Sequence, residues 1–493
     1  MAIENTYFKT LKNTSIFGGA QFFQILIGLI KIKFVAFLLG ASGMGLHNLY
    51  TSSLAVLITF SSFGINSSGV REISELFSNK ENILLGKSIK VYKRLLFITA
   101  ITGSLLLLIF SPYFSQLTFG DKNQSFSYLL LTIFVFTSIL AKGNIAILQG
   151  TRKIRSIAIC TLMSALFGLV ISVPIYYVFD IQGIVPAIIF SGLGSYFISQ
   201  YYVNKVSFNN ESVTSIEFKS IGKKMLVLGF AMVFAQILGQ LSIYFTNYFI
   251  RTQGSYEDIG FFNAAIGMTS QIVVLLFAAL ASDYYPRLVA VCNDKVKLNK
   301  TVNEQSIIIV LLAIPMLTLF IVFSEFIIKV LLTTEFLQIK KLLDFITVGM
   351  FLKVISFSMG YISFAKNDKK TFILLEGVFG NILTLSLSII GYKFGGLNGL
   401  GISFILNYII YFIVVSTVSV VKYDYKFSKK LIQVIIIGAI TVISPIIVKE
   451  FDNLSVKYFI LFLVSTFSLV FSIYNINKLS GIILTIKNLI SRN

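Results

Sequence analysis

Long apolar blocks alternate with short polar connections along the whole chain, and each block suffices for a helix that crosses a bilayer, which takes about 20 residues. The pattern predicts spans near Asn13 to Leu39, Leu46 to Val70, Leu95 to Pro112, Phe126 to Leu148, Ile154 to Phe179 and Gly183 to Asn204. A second set is predicted near Met225 to Ile250, Ile259 to Tyr284, Ser306 to Ser324, Leu343 to Phe364, Thr371 to Tyr392 and Gly399 to Val421. A final pair follows near Leu431 to Val448 and Tyr458 to Ile476. The fold class expected is therefore all-α integral membrane, with about 14 transmembrane helices.

Composition agrees with that pattern. Of 493 residues 56% are apolar and 13% charged, and mean hydropathy is +0.86, whereas soluble domains carry about a quarter charged residues. Fourteen crossings use nearly the whole chain, so no folded extramembrane domain is expected. Lys9 and Lys12 precede a long apolar run in the manner of a secretory signal. That run belongs to an internal repeat, and cleavage is not expected.

The net charge of +20 would suggest nucleic acid in a soluble protein, but here the position of the cations decides. Of 41 Lys and Arg residues, 29 fall on one alternating set of connections and 8 on the other. The run Arg71 to Arg94 alone carries six, whereas Lys122 stands alone in the next connection. The positive-inside rule then places both termini in the cytoplasm. Neither redox compartment nor disulfide framework can be read from Cys160 and Cys292, and a single histidine, His47, leaves metal ligation without support; no cofactor is expected. His47, at the outer end of the second span, reads as an interfacial residue.

The chain matches itself at a lag of about 215 residues, the size of six spans and their connections. Gly45-Leu46-His47-Asn48 corresponds to Gly260-Phe261-Phe262-Asn263, and Arg71 to Arg287. Gln149-Gly150-Thr151-Arg152-Lys153-Ile154-Arg155-Ser156 corresponds to Phe364-Ala365-Lys366-Asn367-Asp368-Lys369-Lys370-Thr371, and Gln182-Gly183-Ile184 to Asn398-Gly399-Leu400. The domain organisation expected is an N-terminal six-helix lobe over 1–215, a C-terminal six-helix lobe over 216–428, and an extra helix pair with a cytoplasmic tail over 429–493. Parallel repeats of this kind imply a pseudo-twofold axis along the membrane normal, with a substrate site between the halves.

Polar residues inside spans mark where that site lies. Gln21, Gln24, Gly28 and Lys31 share one face of the first helix, and Gln236, Gln240, Tyr244, Asn247 and Arg251 share one face of the seventh. Lipid does not solvate such faces, so they turn toward helices or a hydrated cavity. Four cations fall within spans: Lys31, Lys33, Lys142 and Lys353. Each unpaired cation at membrane depth costs roughly 2.5–3.5 kcal/mol. Intramembrane carboxylates are too few to cancel them. Asp283 and Glu376 are possible ion-pair partners or coupling groups, and the remaining positive charge calls for an anionic ligand. Lys33 points away from Lys31 and can snorkel, as can Lys142. Lys353, mid-helix, cannot easily reach an interface. Arg71 and Arg287 sit at the cytoplasmic mouth of the two lobes.

Lys33-Phe34-Val35-Ala36, Gly40-Ala41-Ser42-Gly43-Met44-Gly45, Phe63-Gly64-Ile65-Asn66 and Val70-Arg71-Glu72-Ile73 together resemble the start of bacterial O-antigen translocases, the Wzx-type polysaccharide-repeat flippases. Gln149-Gly150 and Pro286-Arg287-Leu288 continue the match. The resemblance implies membership of the multidrug/oligosaccharidyl-lipid/polysaccharide exporter superfamily, two-lobed bundles that work by alternating access. It implies an undecaprenyl-pyrophosphate-linked oligosaccharide as cargo, moved to the periplasmic leaflet of the inner membrane, with a downstream glycan polymerase as a possible partner. The family's cavity cations carry over to Lys33 and, by position, to Lys31. A lipid II flippase and an ion-coupled multidrug antiporter are the alternatives within the superfamily. A membrane glycan polymerase is disfavoured, because the longest connections here are short and basic and no metal centre is suggested.

Overall fold

Every regular element among the described residues, 2–208 and 212–480 of a computed structural model, is helical. The chain divides into two compact units, Met1–Gly260 and Phe261–Asn493. The first contains α1 (Ala2–Ser61), α2 (Ile65–Ser78), α3 (Asn82–Phe119), α4 (Ser125–Gly150), α5 (Ile154–Phe179), α6 (Ile184–Asn204) and α7 (Ser215–Gln253). α8 (Tyr256–Val291) crosses into the second unit, which continues with α9 (Lys295–Val322), α10 (Ser324–Leu331) and α11 (Lys340–Ala365). α12 (Lys369–Phe372) then passes through a π-helical turn, Ile373–Phe379, into α13 (Gly380–Tyr423), before α14 (Lys429–Val448) and α15 (Leu454–Ser480).

Nine helical stretches among the described residues are long and apolar enough to cross a membrane. Three of them, of 43, 51 and 55 residues, exceed twice the length of one crossing, about 20 residues. Each bends back at a defined residue. Gly40 breaks α1 with φ 64, and Gly396 breaks α13 with φ 53, conformations that a Cβ disfavours. Counted as crossings, the chain has about fourteen, as the apolar pattern predicts. One difference is local: the second predicted span, Leu46 to Val70, is two helical pieces joined at Phe63 and Gly64, both at positive φ. Nothing in the apolar pattern changes there, so periodicity could not reveal the turn.

The internal repeat is written in the backbone as well as in the sequence. Arg152 and Asn367, 215 apart, have φ 55 and 54. Around them the same hydrogen bonds recur: Lys153 N–H donates to Leu148 O at 2.9 Å, and Asp368 N–H to Ser363 O at 2.9 Å. Asp180 (φ 49, ψ −134) and Gly396 (φ 53, ψ −139) repeat a second uncommon conformation at a lag of 216.

Within the first unit α1 packs on α5, α4 on α3 and α6, and α7 lies along α1 and α2. The closest approach joins repeat-equivalent glycines. A methyl group on Gly45 would stand 1.8 Å from the carbonyl oxygen of Tyr256, and one on Gly260 would stand 2.1 Å from that of Ala41. Ser42 Oγ donates to Glu257 Oε1 at 3.2 Å across the same crossing.

In the second unit α9 is buried on nearly every side, packing on α11, α14 and α15. Lys449, just past α14, donates to both carboxylate oxygens of Asp344 at 3.0 and 2.8 Å and to Ser324 Oγ at 2.8 Å. Their side chains are only 11% and 5% exposed. Removing one partner of a buried pair strands the other charge. Lys449→Met should therefore destabilise the unit by about 3–5 kcal/mol, read as a fall in the unfolding midpoint of detergent-solubilised protein. Asp344→Leu combined with Lys449→Met should recover most of that loss; a midpoint unchanged in the single variant would show that the pair contributes nothing.

Candidate functional site

The second unit holds a cavity of about 460 Å³ between α8, α11, the π-helical turn and α13. Lys353 reaches it from α11, Glu376 from the π-helical turn, and Tyr408 and Tyr411 from α13. A π turn shifts the register of the backbone hydrogen bonds and is frequent at functional positions. Asn381 repairs that register here, donating to Gly377 O at 2.7 Å and Glu376 O at 3.3 Å.

Glu376 is held tightly. Tyr411 Oη donates to its Oε1, and a Cβ on Gly360 would come within 2.9 Å of the same oxygen. The Lys353 ammonium lies 5.6 Å from the centre of the Tyr408 ring, within cation–π range, and within electrostatic reach of Glu376. Phe277 and Phe357 stack at 3.9 Å, and Tyr361 packs against Phe357 at 5.0 Å. Thr384 and Asn407 add a hydroxyl and an amide, linked at 3.3 Å. Among the described residues, the cavity thus combines one cation, one carboxylate, several aromatic faces and amides.

Lys31, Lys33 and Lys142 lie in the first unit. On α1, Gln21, Gln24 and Lys31 are half-buried on one face, Lys33 is exposed, and His47 is within electrostatic reach of Lys31. Lys142 is exposed on α4. The amide stripe of α7 divides along its length: Gln236 is exposed and Gln240 half-buried, while the residues beyond them are engaged by the protein. Tyr244 Oη lies 3.1 Å from Thr118 Oγ1, and Asn247 donates to Ser52 Oγ at 3.4 Å. Arg251 lies over the Tyr248 ring at 5.2 Å and against Gly120, where a methyl group would meet its guanidinium at 2.6 Å.

Arg71 and Arg287 are exposed, and Arg287 donates to Gln305 Oε1 at 3.1 Å. The side chain of Asp283 lies outside the described residues. Between α11 and α12, Asp368 accepts from Lys422, from Thr371 N–H at 3.2 Å and from Tyr423 Oη at 2.9 Å. The Lys422 ammonium in particular holds that carboxyl well below the usual carboxylate range.

The structure brings Glu376 and Lys353 to one cavity, together with Tyr361, Tyr408, Tyr411, Asn381, Thr384 and Asn407, which the sequence did not single out. With aromatics at 14% of the chain, tyrosines on a span carry little contrast. The spacing of Asn407, Tyr408 and Tyr411, polar-tipped residues on adjoining faces of one helix, is the signal that could have marked them.

Residues 10–292 match the family described as polysaccharide biosynthesis protein. No curated protein sequence matches the chain. Among solved structures, the inward-facing conformation of a multidrug resistance MATE family transporter of the MOP superfamily is similar at 15% identity. It covers 81% of this chain and 94% of its own, with a TM-score of 0.70. The lipid II flippase MurJ in an inward closed conformation matches at 16% identity, covering 94% of this chain and 98% of its own, also with a TM-score of 0.70. A MOP superfamily transporter from Pyrococcus furiosus, described as having a binding pocket of reversed polarity, matches at 14% identity over 84% of this chain and 96% of its own, with a TM-score of 0.58. At these identities the likeness establishes the fold.

Proposed function

The chain belongs to the polysaccharide biosynthesis protein family, and from that premise we propose that it is a flippase for a lipid-linked glycan. It moves an undecaprenyl-pyrophosphate-linked oligosaccharide, an O-antigen type repeat unit, from the cytoplasmic to the periplasmic leaflet of a bacterial inner membrane by alternating access. Both termini are cytoplasmic, two six-helix lobes over 1–215 and 216–428 rock, and a glycan polymerase takes the product. No bond in the cargo is made or broken.

The observation that carries this reading is the positive charge kept at membrane depth. Lys31, Lys33, Lys142 and Lys353 all lie in membrane-length helices, and none forms an ion pair with a described carboxylate. A pyrophosphate supplies the compact negative charge that such ammonium groups lack, and charge-assisted contacts strengthen as the dielectric falls. The cavity around Lys353 and Glu376 complements it. Its volume falls within the range of about 300–1,000 Å³ typical of ligand sites, and its aromatic faces and amides suit sugar rings and hydroxyls. In the first unit, Gln21, Gln24, Gln236 and Gln240 offer further hydrogen bonds, with Arg71 and Arg287 collecting the anionic cargo at the cytoplasmic mouth.

Reconstituted protein should move a fluorescent undecaprenyl-pyrophosphate oligosaccharide between leaflets at a rate that scales with protein, and should leave a cationic dye untransported. Dye transport driven by an ion gradient, with no glycan transfer, would replace this reading with a multidrug antiporter. Preference for lipid II over the oligosaccharide would narrow the cargo to the peptidoglycan precursor.

A further inference from the structure

The cavity around Lys353 follows the length of α11. Lys353, Phe357, Tyr361 and Phe364 all line it, and steps of four, four and three residues keep them on one face of that helix. From the lysine to the last ring this face extends roughly 16 Å at 1.5 Å per residue. Its rings touch in order. Phe277 of α8 stacks on Phe357 at 3.9 Å with 6° between the planes; Phe357 meets Tyr361 at 5.0 Å, Tyr361 meets Phe364 at 6.4 Å, and Phe364 meets Phe372 of α12 at 5.0 Å. These are not ordinary core rings. Phe364 is 45% exposed and Phe357 and Tyr361 are half-buried, whereas Phe351 of the same helix is 1% exposed.

The π-helical turn and α13 contribute a different chemistry to the same space. Glu376, held by Tyr411, lines it together with the Thr384 hydroxyl and the Asn407 amide. Flat apolar faces and hydrogen-bonding groups therefore share one elongated cavity. A pyranose has the same two-sidedness, with C–H groups on its faces and hydroxyls around its rim. A polyprenyl chain would take polar groups out of water without giving them partners, which is costly. A flat organic cation would meet the Lys353 ammonium.

We propose that this face of α11 is a glycan groove of fixed polarity. The pyrophosphate sits at Lys353, the first sugar beside Phe357, and further sugars lie along Tyr361 and Phe364 toward the Ala365 end of the helix. The inference rests on the flippase reading given above and specifies it: the site senses how many sugars the lipid carries. Phe357 serves every glycan, whereas Tyr361 and Phe364 serve only those long enough to reach them.

The test uses the full-length protein in phosphatidylcholine nanodiscs and three probes: undecaprenyl diphosphate, the same lipid bearing one N-acetylglucosamine, and the same lipid bearing a linear tetrasaccharide of that sugar. Bound lipid is counted by native mass spectrometry. Tyr361→Leu with Phe364→Leu should weaken the tetrasaccharide lipid by roughly tenfold, since one aromatic contact is worth about a two- to tenfold factor, and should leave the sugar-free lipid unchanged. Phe357→Leu should weaken both sugar-bearing lipids. Tyr361→Phe with Phe364→Tyr should keep wild-type binding, which separates ring from fold, and Phe394→Leu, at an exposed ring of α13 outside the cavity, should change nothing. A second measurement needs no ring removed. The chain contains no tryptophan, so Phe357→Trp and Phe364→Trp each give a single reporter: the tetrasaccharide lipid should shift the emission of both, the one-sugar lipid that of Phe357→Trp alone. An equal loss for the sugar-free lipid, undiminished tetrasaccharide binding by the leucine variants, or emission that does not depend on glycan length overturns the groove. If the wild-type protein still transfers the glycan under those results, the flippase reading stands; a wild type that binds none of the three lipids ends both.

Discussion

Leucine at Gly45 should cost the protein its stable folded state, and leucine at Gly260 should do the same. Each glycine sits with another backbone against its α-carbon, at a distance where even one carbon would overlap a carbonyl oxygen, 1.8 Å at Gly45 and 2.1 Å at Gly260. A flexible side chain could swing aside; a carbonyl inside a helix cannot without moving that helix. Overpacking of an ordinary core costs about 1–3 kcal/mol, and a backbone obstacle puts these variants at or above the top of that range. The measurement is the unfolding midpoint of purified protein in detergent, alongside the fraction recovered as a monodisperse peak. Gly395→Leu is the control, because a Cβ there meets nothing within 4 Å. If Gly45→Leu unfolds at the wild-type temperature while behaving as a single species, the helices do not cross as tightly as described.

Lys353→Ala should slow leaflet transfer of the lipid-linked glycan by roughly ten- to a hundredfold, the loss expected when a hydrogen bond to a charged group worth about 1.5–3 kcal/mol is removed. Two effects combine. The cargo loses an ammonium partner, and Glu376 loses the positive charge nearest to it in the cavity. Lys353→Arg restores charge without the compact ammonium and should recover part of the rate, since guanidinium and ammonium are not interchangeable at a shaped site. Transfer at the wild-type rate by a correctly folded Lys353→Ala protein would remove this residue from the translocation path.

Much of the architecture was legible because a bilayer imposes its own period on the sequence. About 20 apolar residues per crossing and cations gathered on alternate connections set the number of helices, and the Gln149–Ser156 and Phe364–Thr371 match anticipated a turn whose φ values agree within one degree at Arg152 and Asn367. The breaks at Phe63 and Gly64 left no trace, since hydropathy does not register a reversal of φ. The amide stripe of α7 shows the limit of face arguments. Spacing put Gln236 and Asn247 on one side of a helix, but spacing does not say what occupies the other side, and Ser52 meets Asn247 whereas Gln236 is exposed. The pairing of Glu376 with Tyr411 was equally out of reach. It depends on a π turn and on the absence of a side chain at Gly360, both of which are tertiary facts.

The crossing at Gly45 and Gly260 bears on how such a chain could arise. Ala41 touches Gly260 as Tyr256 touches Gly45, and Ser42 bonds the residue 215 places further on, so this junction is self-complementary in the way a twofold dimer interface is. A half-length ancestor could have formed it with a second copy of itself, each glycine meeting its own counterpart. Gene fusion would then have inherited a working joint and freed its two sides to diverge.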